Sequence, residues 1–77
     1  MKLAETRAAI DAIDAEIGAL IGRRRALVTA LAREKTNLGV PFVDPAREAA
    51  IEQKYARLLP DVASVPGLVR AILEACR

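Results

Sequence analysis

The sequence predicts an all-α protein, a single domain over residues 1–77 with one long helix and two short ones, paired with a second copy as a helical homodimer. Three observations carry this. A proline-free stretch from Leu3 to Thr36 repeats apolar residues at steps of three and four, the period of a helix face. Two later segments open on a proline at a helix start, Asp44-Pro45 and Val65-Pro66. The first helix is also too long for its own domain: about 34 residues at 1.5 Å each give roughly 50 Å. A compact chain of this length has a radius of gyration near 11–12 Å and a diameter of roughly 30 Å. Two short helices cannot cover an apolar face of that length. A symmetric partner is the simplest cover.

The first helix runs from Leu3 to about Thr36, weakened only by Gly18 and Gly22, each disfavoured by about 1 kcal/mol relative to alanine. Asn37-Leu38-Gly39 reads as its C-terminal cap. Val40-Pro41-Phe42-Val43 is short and broken by proline, hence a loop. Asp44 is an N-cap and Pro45 a first helical residue, and this second helix runs to about Leu59, before Pro60. Asp61 to Ser64 is a turn. The third helix starts near Val65-Pro66 and continues to the end, with Leu68, Val69, Ile72 and Leu73 as its apolar face.

Composition excludes several functions. The chain has 77 residues, no histidine and a single cysteine, Cys76, so it has no imidazole base, no histidine metal ligand and no internal disulfide. Its only aromatic residues are Phe42 and Tyr55, too few for a single-strand stacking platform, and a net charge of +2 with interspersed signs argues against a nucleic-acid surface. No apolar run approaches the roughly 20 residues of a membrane span. The Met1-Lys2-Leu3-Ala4-Glu5 start has no signal-peptide core, and the expectation is a cytoplasmic protein. Cys76 reads as a small buried apolar group, and Tyr55 as core.

The informative feature is charge inside the apolar seam of the first helix. The seam reads Arg7, Ile10, Asp14, Ile17, Ile21, Arg24, Val28, Leu31, Lys35. Charges at such positions are costly unless paired or liganded, and three of these four are cations. Arg24 and Lys35 differ by about 20° around the axis and about 16 Å along it, so they can bracket a small anionic molecule. Arg7 lies about 25 Å from Arg24 and can reach that site only from an antiparallel partner chain. Arg47 and Glu48 follow Asp44 in the first turn of the second helix, where spare backbone donors suit an anionic or hydroxylated ligand. Arg23 and Arg25 point away and read as solvated, and Asp14 reads as a structural partner for an arginine of the other chain.

With these residues in view, the chain resembles the all-helical class of chorismate mutases over nearly its whole length. The resemblance rests on Leu3-Ala4-Glu5-Thr6-Arg7-Ala8-Ala9-Ile10-Asp11-Ala12-Ile13-Asp14, on Arg23-Arg24-Arg25, on Lys35, and on Val40-Pro41-Phe42-Val43-Asp44-Pro45-Ala46-Arg47-Glu48. It implies an intertwined homodimer of three-helix chains with two shared sites. The implied reaction is the cofactor-free Claisen rearrangement of chorismate to prephenate, an isomerase step of the shikimate pathway and aromatic amino acid biosynthesis. That pericyclic step needs no nucleophile or metal. It needs a folded substrate conformer and stabilisation of the charge that grows on the ether oxygen.

Carried over by resemblance, Arg7 of the partner chain and Arg24 bind the two carboxylates. Lys35 contacts a carboxylate and the ether oxygen, and Arg47 supports the carboxylate end. Glu48 and the backbone at Asp44 hold the ring hydroxyl. The family adds two polar positions on the third helix. Cys76 falls at the first, and the second falls near position 80, beyond Arg77. The resemblance therefore implies weak stand-alone turnover, raised by an activating shikimate-pathway enzyme as in relatives with short last helices. Two alternatives stay open: an isochorismate-pyruvate lyase or 4-amino-4-deoxychorismate mutase on the same scaffold, and a non-catalytic dimerisation or regulatory module.

Overall fold

The computed structural model describes residues 2–39, 41 and 43–77. Val40 and Phe42, expected in the first loop, lie outside the described residues. The described chain is all-helical: α1 spans Leu3–Leu38, α2 Pro45–Leu58 and α3 Val65–Ala75. α3 packs against both α2 and α1 and joins the three helices. Among the described residues, no helix is long and apolar enough to cross a membrane.

α1 runs two residues further than its sequence pattern indicates. Asn37 and Leu38 keep helical backbone, and the chain leaves the helix only at Gly39, which takes the left-handed conformation at φ 69°. The Gly39 N–H bonds to the Lys35 and Thr36 carbonyls, closing the last turn. α2 begins as its sequence requires. Asp44 caps it by accepting from the Arg47 N–H at 3.1 Å, and Pro45 takes the first helical position, where it gives up no hydrogen bond. The helix ends at Leu58, with the Leu59 N–H on the Tyr55 carbonyl at 2.9 Å. Ser64 then enters the left-handed region at φ 61°, a conformation costing a non-glycine residue about 1 kcal/mol. Ser64 is the N-cap of α3, which packs against the other two helices.

The apolar stripe of α3 is Val65, Val69, Ile72 and Cys76. Val65, Val69 and Cys76 are buried, and Ile72 and Leu73 are half-buried. Leu68 does not join this face as the sequence pattern suggested, being 40% exposed. It sits about 100° from Val69 around the helix, at the edge of a stripe that runs through residues three and four apart. Tyr55 is half-buried rather than core.

α1 has no buried residue. Its half-buried positions from Ile21 onward are Ile21, Arg24, Val28, Ala32 and Lys35, a stripe that follows the C-terminal half of the charged seam except at Leu31, which is 47% exposed while Ala32 takes its place. The N-terminal half, including Ile10, Ile13 and Ile17, is exposed by about half or more. The chain is correspondingly elongated, 55 × 24 × 15 Å with a radius of gyration of 15.8 Å. Its accessible area of 6293 Å² exceeds the about 4,600 Å² of a compact monomer of this mass.

Candidate active site

All three helices contribute to one pocket of about 150 Å³. α1 supplies Arg24, Val28, Leu31 and Lys35. α2 and the residues before it supply Val43, Asp44, Arg47, Glu48 and Ile51. The end of α3 supplies Leu73, Cys76 and Arg77. The aliphatic side chains form the walls, and four cations and two acids stand on them. Formally the pocket is two charges positive, the complement of a dianion.

Six of the seven candidate residues from the sequence therefore meet: Arg24, Lys35, Asp44, Arg47, Glu48 and Cys76. The seventh, Arg7, is exposed near the far end of α1. It lies 17 positions from Arg24, about 25 Å along a helix, and does not reach the pocket of its own chain.

Arg24 and Lys35 are both half-buried on α1. Arg24 stands at the junction of two cavities, because with Arg47 it also lines a neighbouring pocket formed by Ala50, Ile51, Lys54, Tyr55 and Leu58. Its Nη1 is buried and has no hydrogen-bond partner. A buried donor left unsatisfied costs about 1–3 kcal/mol, more when charged, so an acceptor from outside the chain would be favoured at this atom. Arg23 and Arg25 face solvent, as their phase on the helix dictates.

The first turn of α2 is less open than its sequence suggested. Its three N–H groups belong to Ala46, Arg47 and Glu48, since proline has none. Two are engaged: Arg47 donates to the Asp44 carboxylate and Glu48 to the Asp44 carbonyl at 3.0 Å. The Asp44 carboxylate takes the Arg47 amide and the first helical bond takes that of Glu48, leaving of the three only the Ala46 N–H, beside the side chains, to contact a ligand. The Glu48 carboxylate in turn accepts from Arg77 Nη2 at 2.7 Å. Cys76 is buried against the pocket.

Arg77 escaped the sequence reading because a terminal arginine carries no periodic signal of its own. The available clue was its spacing, four residues past Leu73 on the face that packs inward. Leu73 was legible only as an apolar helix position, and Ile51 gave no signal that marked it. Among the described residues, no group of three or more His, Cys, Asp or Glu could hold a metal ion.

Comparison with known proteins agrees with this arrangement. The family model for chorismate mutase type II matches residues 6–77. The chorismate mutase of Methanocaldococcus jannaschii is 44% identical over 57 residues, 74% of this chain. The match spans only 58% of that relative's length. No solved structure matches the chain significantly. These matches do not favour the lyase, the amino-analogue mutase or the non-catalytic module. With the match running from Thr6 to Arg77, the chain belongs to the chorismate mutase type II family.

Proposed function

We propose that this chain is a cytoplasmic chorismate mutase acting as a homodimer, each site completed by Arg7 of the partner subunit. The observation that carries the reading is the buried, unpartnered Nη1 of Arg24 in a pocket formally two charges positive. Chorismate, a dianion with an ether bridge and a ring hydroxyl, offers that atom the acceptor it lacks within the chain.

In this reading Arg24 and the partner's Arg7 hold the two carboxylates, and Arg47 supports the same end. The clamp folds the enolpyruvyl arm over the ring into the reactive conformer, supplying the orientation a unimolecular rearrangement needs. Lys35 reaches a carboxylate and the ether oxygen. As the C–O bond breaks and the C–C bond forms, negative charge grows on that oxygen, and a fixed ammonium in a partly dry pocket stabilises it more than it stabilises the ground state. Glu48 accepts from the ring hydroxyl beside the Asp44 backbone. Cys76 packs against the substrate and adds a weak donor at most. No cofactor enters the reaction.

The dimer is supported by the roughly 1,700 Å² by which each chain's area exceeds that of a compact monomer. Buried on both subunits, that excess falls in the range of obligate interfaces. A shikimate-pathway enzyme that docks and raises turnover belongs to the same reading. Its support is the α3 wall of the pocket, tied to α2 at its end by an ion pair whose arginine is 46% exposed.

The test is incubation of the pure protein with chorismate, isochorismate and 4-amino-4-deoxychorismate, following substrate absorbance and product identity. Prephenate from chorismate is the expected result. Pyruvate release from isochorismate, turnover of the amino analogue alone, or no turnover even with added shikimate-pathway enzymes would each refute the proposal.

A further inference from the structure

We infer that Arg77 is a positioning residue for Glu48, setting the direction from which that carboxylate meets the substrate hydroxyl; this rests on the mutase reading above. α3 ends at Ala75, but two more backbone bonds continue the turn: Cys76 N–H to the Ile72 carbonyl at 3.1 Å and Arg77 N–H to the Glu74 carbonyl at 3.3 Å. They fix the root of Arg77 one turn beyond Leu73, on the side where Leu73 and Cys76 already form the pocket wall. From there the guanidinium crosses to α2 and donates from Nη2 to Glu48 Oε1 at 2.7 Å, the length of a charge-assisted bond. The contact joins residues 29 positions apart at the pocket rim.

The bond has two effects. It occupies one carboxylate oxygen, orienting the other for a hydroxyl donor and removing rotamers that a first-turn glutamate would otherwise sample. It also sets a cation beside an acid in a pocket meant for a dianion, where an unaccompanied carboxylate would repel the substrate. Other charges lining the same pockets as Glu48 are Arg24 and Lys35 from α1, the N-cap Asp44, Arg47 and Glu52 from α2, and Arg70 and Glu74 from α3. They mix both signs, and Arg77 reaches Glu48 from the end of α3. The pair is 46% and 30% exposed on its two sides, so it adds little to stability. Its consequence is orientation.

The experiment compares chorismate turnover by wild type, Arg77→Gln, Arg77→Lys, Glu48→Gln and the Arg77→Gln/Glu48→Gln double variant. Arg77→Gln should lower kcat about tenfold, the size of one hydrogen bond, with KM within about threefold, because the substrate's carboxylates are held elsewhere. Arg77→Lys should recover to within about threefold of wild type, and Tm should move by less than about 4 °C. The double variant should be no slower than Glu48→Gln alone, since Arg77 acts only through that carboxylate. Multiplying losses in the double variant, or a rise in KM at unchanged kcat, would mean that Arg77 contacts the substrate directly and would overturn the inference. So would an Arg77→Gln enzyme within twofold of wild type. An active wild type with either result leaves the mutase reading standing; a wild type inert toward chorismate overturns both.

Discussion

Replacing Arg24 with methionine should make the protein more stable and nearly inactive at once. The stability gain follows from the buried Nη1 with no partner. An unsatisfied buried donor costs about 1–3 kcal/mol, and the low end applies because the side chain as a whole is only half-buried. Methionine keeps the aliphatic stem and leaves nothing unpaired. Relief of about 1 kcal/mol raises the melting temperature of a domain this size by roughly 4–8 °C. On the proposed mutase reading, the activity loss follows from removing a carboxylate-binding charge from the substrate clamp. One lost donor of this kind costs roughly 2.7–4 kcal/mol, or about 100- to 1,000-fold in kcat/KM. Calorimetry of the ligand-free protein at fixed concentration gives the first quantity, and chorismate disappearance under subsaturating conditions the second. A lowered Tm would show that Arg24 already has an acceptor in the assembled protein, such as an acid of the partner chain, and the ligand argument would fail. Activity within a few fold of wild type would remove Arg24 from the site.

Three further outcomes follow from the same geometry. Sedimentation equilibrium at micromolar concentration should give twice the chain mass, and Ile17→Glu on the exposed half of the seam should abolish the dimer; a folded wild-type monomer would remove the shared-site model. Lys35→Ala should cut kcat/KM at least about 100-fold, whereas Arg23→Ala, on the solvent side of α1, should stay within a few fold, and equal losses at both would contradict the seam assignment. Arg7→Ala and Arg24→Ala chains refolded together should regain about a quarter of wild-type activity, the statistical share of sites that receive both intact arginines, and a mixture as inactive as its parents would exclude Arg7 from acting across the interface.

The helices were legible because their boundaries are written in local chemistry. The Asp44-Pro45 pair allows little but a helix start, and Gly39 supplies the one left-handed residue that ends α1. The seam was legible because charges recurred at an apolar period, and no knowledge of the neighbouring helices was needed to see Arg24 and Lys35 as misplaced. What failed to show was tertiary. Which apolar positions of α3 are covered depends on how it lies against the other two helices, which bury Cys76 and leave Leu68 40% exposed at the edge of the stripe. The loss of donors at α2 has the same character: a capping aspartate was visible, but its consumption of the amide offered to a ligand is a matter of geometry. Arg77 and Glu48 are 29 positions apart and on different helices, so no periodicity connects them.

The absence of any buried residue on α1 bears on how subunits come together. The buried apolar residues of a single chain, among those described, are Val65, Val69 and Cys76. Their burial is worth only a few kcal/mol each, against an ordering entropy of roughly 1–2 kcal/mol for every residue fixed. On the dimer reading a lone chain buries too little to stay folded, and chain association and folding become one second-order event. Subunits once paired exchange no faster than the dimer unfolds. Hybrid enzymes would then have to be made by co-expression or by refolding from denaturant, because mixing two folded preparations would report the parents long after equilibrium was expected. Each tenfold dilution also subtracts about 1.4 kcal/mol from the dimer's stability, so a melting temperature for this protein has meaning only beside the concentration at which it was measured.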